Sequence, residues 1–194
     1  MIKGNCNLKR LFILLAVYSS FLVAEPKVAQ SHEFYNVSVS HTRNLLKNVN
    51  QASPIKHNGN KFHGYTEYNI QWRFNSKSRG RQRCILNKVK TVLTLKYTMP
   101  KLRSESEDVH KVWNSWYPNL EKHENGHGSL AVEAAKEIDS SLRAFSSRSG
   151  CQKINQEANE LAYKIMEKLD QATKKYDLDT NHGETQDAWL YSHL

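Results

Sequence analysis

"VHKVWNSWYPNLEKHENGHGSLAVEAAKEIDSSL", residues 109 to 142, places Val109, Val112, Trp113, Trp116 and Leu120, then Ala131, Ala134, Ile138 and Leu142, at helical spacing. This period predicts one amphipathic helix with an apolar stripe turned to the core. His123, Glu124 and His127 fall on that stripe in the spacing H-E-x-x-H. Positions four apart stack on one helix face, so two imidazoles can reach a single tetrahedral zinc ion. Glu124 then stands beside the metal, where a carboxylate can take a proton from metal-activated water and return it to a leaving amine. A pattern with three fixed letters also arises on ordinary charged helix faces. Such faces point to solvent, however, whereas these residues share the apolar stripe. Burying two imidazoles and a carboxylate without a common partner is costly, and a metal ion supplies that partner. Pro118 is expected to start or kink the helix.

Upstream, the spacing changes to two. "EFYNVSVS", residues 33 to 40, reads as a short strand with Tyr35, Val37 and Val39 on one face, and "TRNLLKNVNQ" as a helix that Thr42 caps. From Thr66 to Phe74 the residues Thr66, Tyr68, Ile70, Trp72 and Phe74 alternate with Glu67, Asn69, Gln71 and Arg73, the mark of a half-buried antiparallel strand. After "KSRGRQR" (77 to 83), the residues Ile85, Val89, Thr91, Leu93, Leu95 and Tyr97 repeat that period up to Met99, where Pro100 is expected to end the strand. The two strands should pair as a long hairpin.

The chain has 194 residues, 39% hydrophobic and 24% charged, which suits one globular domain with a core. Residues 1 to 24 differ in kind: "MIKGNCNLKR" is basic, and "LFILLAVYSSFLVA" is an apolar run of secretory length ending in Ala24. They read as a cleaved signal peptide, leaving residues 25 to 194 as a single domain in the periplasm or outside the cell, with no later segment apolar enough to span a membrane. The formal charge is +9, of which Lys3, Lys9 and Arg10 belong to the signal. The remaining excess includes "KSRGRQR", read as a solvated turn with weak attraction to an anionic envelope surface. Nucleic-acid-binding motifs are absent. Cys6 leaves with the signal, and the other two cysteines, Cys84 and Cys151, lack metal-ligand spacing and are expected to form a disulfide after export.

A second helix is expected from about Cys151 to Tyr176, separated from the first by Gly150. A catalytic zinc needs three protein ligands and an open position. The HExxHxxGxxH extension is missing, since Leu130 and Glu133 stand where its glycine and third histidine would fall. Glu157 and Glu160 on the second helix are candidates for the third ligand, as is His182 in "YDLDTNHGET", residues 176 to 185. His193, near the C-terminus, is the rival among the histidines. Asp177 and Thr180 suit either orientation of a ligand imidazole or capping of the helix end. Tyr176 reads as a core tyrosine or as a donor to a developing oxyanion.

The succession "KFHGYTEYNIQW", one Cys in the next strand, "MP", "VWNSWYPNLEKHENGH", a second Cys and "YDLDTNHG" resembles the bacterial family of predicted secreted zinc-dependent proteases over nearly all of residues 25 to 194. The resemblance implies His123, His127 and His182 as zinc ligands and Glu124 as the catalytic acid/base. His63, in the matching "KFHGYT", has no ligand-spaced neighbour and is read as structural.

The expected fold is α+β and zincin-like, an N-terminal antiparallel sheet (25 to 100) on a C-terminal helical half (101 to 194). The expected function is a zinc peptidase, with one catalytic zinc ion and a peptide or protein substrate. A zinc amide hydrolase acting on cell-wall peptide would use the same residues. A non-catalytic envelope binding module with a structural zinc would have no need of Glu124.

Overall fold

The computed structural model describes residues 25–57, 59–80, 83–148 and 150–194. The expected signal segment with Cys6, and part of the basic turn before Cys84, lie outside them. In chain order the elements are β1 (Lys27–Ser38), α1 (Leu45–Ala52), β2 (Lys56–His57), β3 (Asn60–Lys61), β4 (Tyr65–Ser78), β5 (Cys84–Arg103), α2 (Glu107–Ala144), β6 (Ser146–Ser147) and α3 (Ile154–Asp179), with short 3-10 turns at Thr42–Asn44, Glu184–Gln186 and Leu190–His193.

The hairpin of β4 and β5 forms as its alternation requires, with Thr66 opposite Tyr97 and Ile70 opposite Leu93. Thr66 and Ile70 are buried while Glu67, Asn69, Gln71 and Arg73 are exposed. The sheet is mixed rather than antiparallel. β5 is its central strand, with β4 antiparallel on one side and β1 parallel on the other, Tyr35 lying opposite Pro100. The intervening α1 and the β4 hairpin carry the chain across, so β1 and β5 end up side by side in one direction.

Pro100 does not stop β5, which runs on to Arg103. The pairing with β4 begins at Thr98, so beyond that point β5 has a main-chain partner on one side only, where proline is tolerated. The helix after β1 is also shorter than expected. Its first turn is 3-10, preceded by His41, and Thr42 makes no capping bond.

The stripe read from residues 109 to 142 becomes the buried face of α2, a single helix of 38 residues. Pro118 lies inside it and starts nothing. Trp116, Ile138 and Leu142 are fully enclosed, as are Leu93 on β5 and Ile154 on α3, and burial of each such side chain stabilises the fold by about 1.5–3 kcal/mol. α3 begins at Ile154 rather than Cys151 and packs against α2, with its Ala158, Ala162, Ile165 and Leu169 buried. The indole Nε1 of Trp72 on β4 donates to Asn159 Oδ1 of α3 at 2.9 Å, which ties sheet to helix. Cys84, the first residue of β5, is joined to Cys151 in the turn before α3. Among the described residues no helix is long and apolar enough to cross a membrane.

Candidate metal centre

One turn of α2 brings His123 and His127 together, with ring centroids 5.0 Å apart and planes nearly perpendicular at 85°. Both lie on the buried face, 6% and 8% exposed, and Glu124 between them is 5% exposed. The last turn of α3 supplies Asp177. Its Oδ1 lies 3.5 Å from His123 Nε2 and 3.1 Å from His127 Nε2. One donor atom from each of these three side chains falls within 4.8 Å of the other two, and no other such group of three or more occurs among the described residues.

The ring of His123 is oriented from behind. Its Nδ1 lies 2.9 Å from Gln186 Oε1, an oxygen that accepts from the ring, and this contact turns Nε2 towards Asp177. Burial by itself would lower the His123 pKa, but the bonds to Asp177 and Gln186 outweigh it and raise the group above the ordinary histidine value. Asp177 is also pulled in two directions: burial raises it, and the bonds to the two imidazoles hold its carboxyl well below the usual range. Two imidazoles sharing one carboxylate oxygen form a donor set that a divalent cation would complete, with two neutral nitrogens and an anionic oxygen directed to one place.

Glu124 faces the sheet side of the group. Thr66 Oγ1, near the start of β4, lies 2.7 Å from Glu124 Oε2 and 3.0 Å from its main-chain oxygen. Gly64 makes room for this carboxylate, since a Cβ there would fall 2.6 Å from Glu124 Oε1. Burial pushes the Glu124 carboxyl above the usual carboxylate range, against the Thr66 bond and the nearby imidazoles, which favour the ionised form. The approach of this strand is held by His63, whose main-chain oxygen accepts from Tyr35 Oη at 2.7 Å and whose Nε2 lies 2.7 Å from Asn50 Oδ1. His63 also meets Trp116 edge to face at 5.6 Å, so its surroundings are those of a packed residue.

Two glycines inside α2 weaken an isolated helix by about 1 kcal/mol each relative to alanine. Here each admits a tyrosine hydroxyl: a Cβ on Gly126 would fall 2.1 Å from Tyr176 Oη, and one on Gly128 would fall 2.0 Å from Tyr97 Oη. The first tyrosine comes from α3 and the second from β5. Tyr176 stacks on His123 at 5.2 Å and meets His127 edge to face at 4.9 Å. Its hydroxyl is engaged with His123 O at 3.3 Å and with the Gln186 amide, so the side chain packs and braces the donors rather than offering a free hydroxyl.

Thr180 caps the end of α3, with Oγ1 donating to Tyr176 O at 2.8 Å and accepting from Gly183 N at 3.1 Å. It does not touch an imidazole through any of these bonds. Asp177 takes a place among the converging donors rather than a capping role. His182 lies outside that group: its Nδ1 is 4.0 Å from Asp177 Oδ1, and its side chain is 51% exposed. The turn that presents it has φ of 47° at Asn181, 52° at His182 and 88° at Gly183, a left-handed run that is unfavourable for the first two residues. Gly183 suits both its φ and its place, since a Cβ there would lie 3.1 Å from His123 Cγ.

Glu157 and Glu160 stand near the start of α3, separated from Asp177 by about 25–30 Å of helix at the standard rise. His193 uses both ring nitrogens elsewhere, with Ser115 Oγ at 3.0 Å and Asp187 O at 2.9 Å. The strand alternation includes Thr66 but does not mark it for the site, and Gly64 and Gln186 carry no spacing signal.

Neither the curated proteins nor the solved structures compared contain a match to the chain. The segment from strand β1 to the turn after α3 does match a family profile, and it contains His123, Glu124, His127 and Asp177. By that match over residues 32–183, the chain belongs to the family described as "Bacterial protein of unknown function (DUF922)".

Proposed function

We propose that this protein is a zincin-like, zinc-dependent peptidase that works outside the cytoplasm on peptide or protein substrates. The observation that carries the reading is the buried carboxylate of Glu124 beside the converging donors His123, His127 and Asp177. A structural metal site needs no general base, whereas a hydrolytic one does. The bond between Cys84 and Cys151 suits an oxidising compartment.

In this reading His123, His127 and Asp177 hold the zinc ion, which when bound supplies Lewis-acid activation of water and of the scissile carbonyl. Glu124 accepts the proton of the attacking water and returns it to the departing amine. Thr66 keeps one carboxylate oxygen occupied, so that the other is the proton acceptor. His182, exposed beside Asp177, is in this reading a donor to the developing oxyanion.

The test is hydrolysis of a broad peptide library by the zinc-loaded chain and by Glu124→Gln. The proposal expects one equivalent of zinc in both and cleavage by the wild type alone. Equal turnover by both proteins, at equal zinc content, would remove Glu124 from the chemistry.

A further inference from the structure

We infer that Gln186 is a positioning residue of this centre, held in place by a C-terminal strap, residues 184–194, that lies beyond the family-matched segment; the inference rests on the metal reading above. Three links close a ring. His123 Nδ1–H donates to Gln186 Oε1 at 2.9 Å, Gln186 Nε2 donates to Tyr176 Oη at 3.1 Å, and Tyr176 Oη donates back to His123 O at 3.3 Å. Tyr176 Oη also lies 3.2 Å from Gln186 Oε1, so it meets both atoms of the amide, and with Oε1 turned to His123 the amide takes the Nδ1 proton.

The contrast with His127 gives the ring its importance. His127 Nδ1 is buried with no hydrogen-bond partner among the described residues, so behind its Asp177 contact that imidazole is held by packing against Tyr176. Of the two histidines, only His123 has its metal-facing nitrogen defined by a bond to the other ring nitrogen. That bond comes from a segment with no regular helix or strand of its own.

The strap is anchored independently of any metal. Trp116 Nε1, inside α2, donates to Ala188 O at 2.8 Å, and Leu190 is buried at 1% exposure. Ser115 and His193 meet at 3.0 Å, closing the far end onto the same helix. Trp189 Nε1 donates to His182 O at 2.9 Å, so the strap also fixes the left-handed turn beside Asp177. Gln186 is thus held between an anchored tail and the ring of His123, as a residue whose task is orientation would be.

The experiment uses the full chain as wild type, Gln186→Ala and Gln186→Glu, with circular dichroism confirming the fold of each. Zinc affinity is measured by competition titration, the cobalt(II) spectrum reports donor geometry, and nitrogen-15 NMR of the metal-free protein reports the His123 tautomer. The wild type should carry the His123 proton on Nδ1. Gln186→Ala should lose that preference, bind zinc about 10–100-fold more weakly and alter the cobalt spectrum. Gln186→Glu, which keeps the acceptor, should restore the tautomer and most of the affinity. A folded Gln186→Ala with wild-type zinc affinity and cobalt spectrum overturns the inference, as does a wild-type His123 whose Nδ1 carries no proton. Absence of zinc binding by the wild type would end the metal reading instead, and the tautomer measurement would still decide the place of Gln186.

Discussion

Thr66 and Glu124 are 58 residues apart in the chain, yet Thr66 Oγ1 lies 2.7 Å from Glu124 Oε2. The bond joins the strand hairpin to the motif helix at the residue proposed to move protons. Because it favours the carboxylate, its loss should raise the Glu124 pKa further. Thr66→Val keeps the shape and removes the donor. Hydrogen bonds to charged groups are worth about 1.5–3 kcal/mol, so kcat/KM should fall about 10–100-fold at neutral pH. The acid limb of its pH profile should move to higher pH. An unmoved limb in a folded, zinc-replete variant would show that Thr66 does not act on Glu124.

The approach of Tyr97 to Gly128 makes a second prediction, on stability. A Cβ at Gly128 would fall 2.0 Å from Tyr97 Oη, so Gly128→Ala must displace the tyrosine or the helix. Overpacking of this kind costs about 1–3 kcal/mol, against about 1 kcal/mol of helix propensity gained. Urea unfolding should show net destabilisation, and Tyr97→Phe introduced into Gly128→Ala should recover part of it by deleting the colliding oxygen. Additive effects of the two substitutions would mean that they do not meet.

His63 should make stability depend on pH. Burial lowers its pKa to about 4, from 6.5 in the unfolded chain, because the charged ring would lose its hydration in this packed site. The unfolded state therefore binds the proton first as pH falls. The contribution is fully present above about pH 6.5, is lost as pH falls to about 4, and changes no further below that, with about 3 kcal/mol at stake. Urea unfolding of the wild type and His63→Gln from pH 7 to pH 4 checks it. The wild type should lose about 2–3 kcal/mol more than the variant over this range. Parallel curves would remove His63 as the source.

The readable parts of this fold were those whose burial is decided locally. The alternation around Tyr68 and Trp72 defines one face of β4 by itself, and the stripe through Trp116 and Ile138 does the same for α2. The parallel pairing of β1 with β5 depends on where a crossover returns the chain, which no period within β1 encodes. Pro100 follows from the same cause, since its tolerance depends on β4 beginning opposite Thr98. In the site, His123, Glu124 and His127 were legible because one helix sets their spacing. Asp177 was visible as part of "YDLDTNHG", but its place beside both imidazoles depends on how the end of α3 docks against α2. Gln186 offered no signal, as a polar residue in a short tail that takes its position from the Trp116 anchor.

Zinc content and affinity, compared in wild type, Asp177→Ala and His182→Ala, test the metal centre most directly. Asp177 Oδ1 reaches both imidazoles, while His182 stands outside the group on an exposed turn. The account predicts one equivalent of tightly bound zinc in the wild type and in His182→Ala, and its loss in a folded Asp177→Ala. Tight zinc binding by Asp177→Ala together with its loss in His182→Ala would contradict the ligand set, and absence of zinc from all three would contradict the metal centre itself.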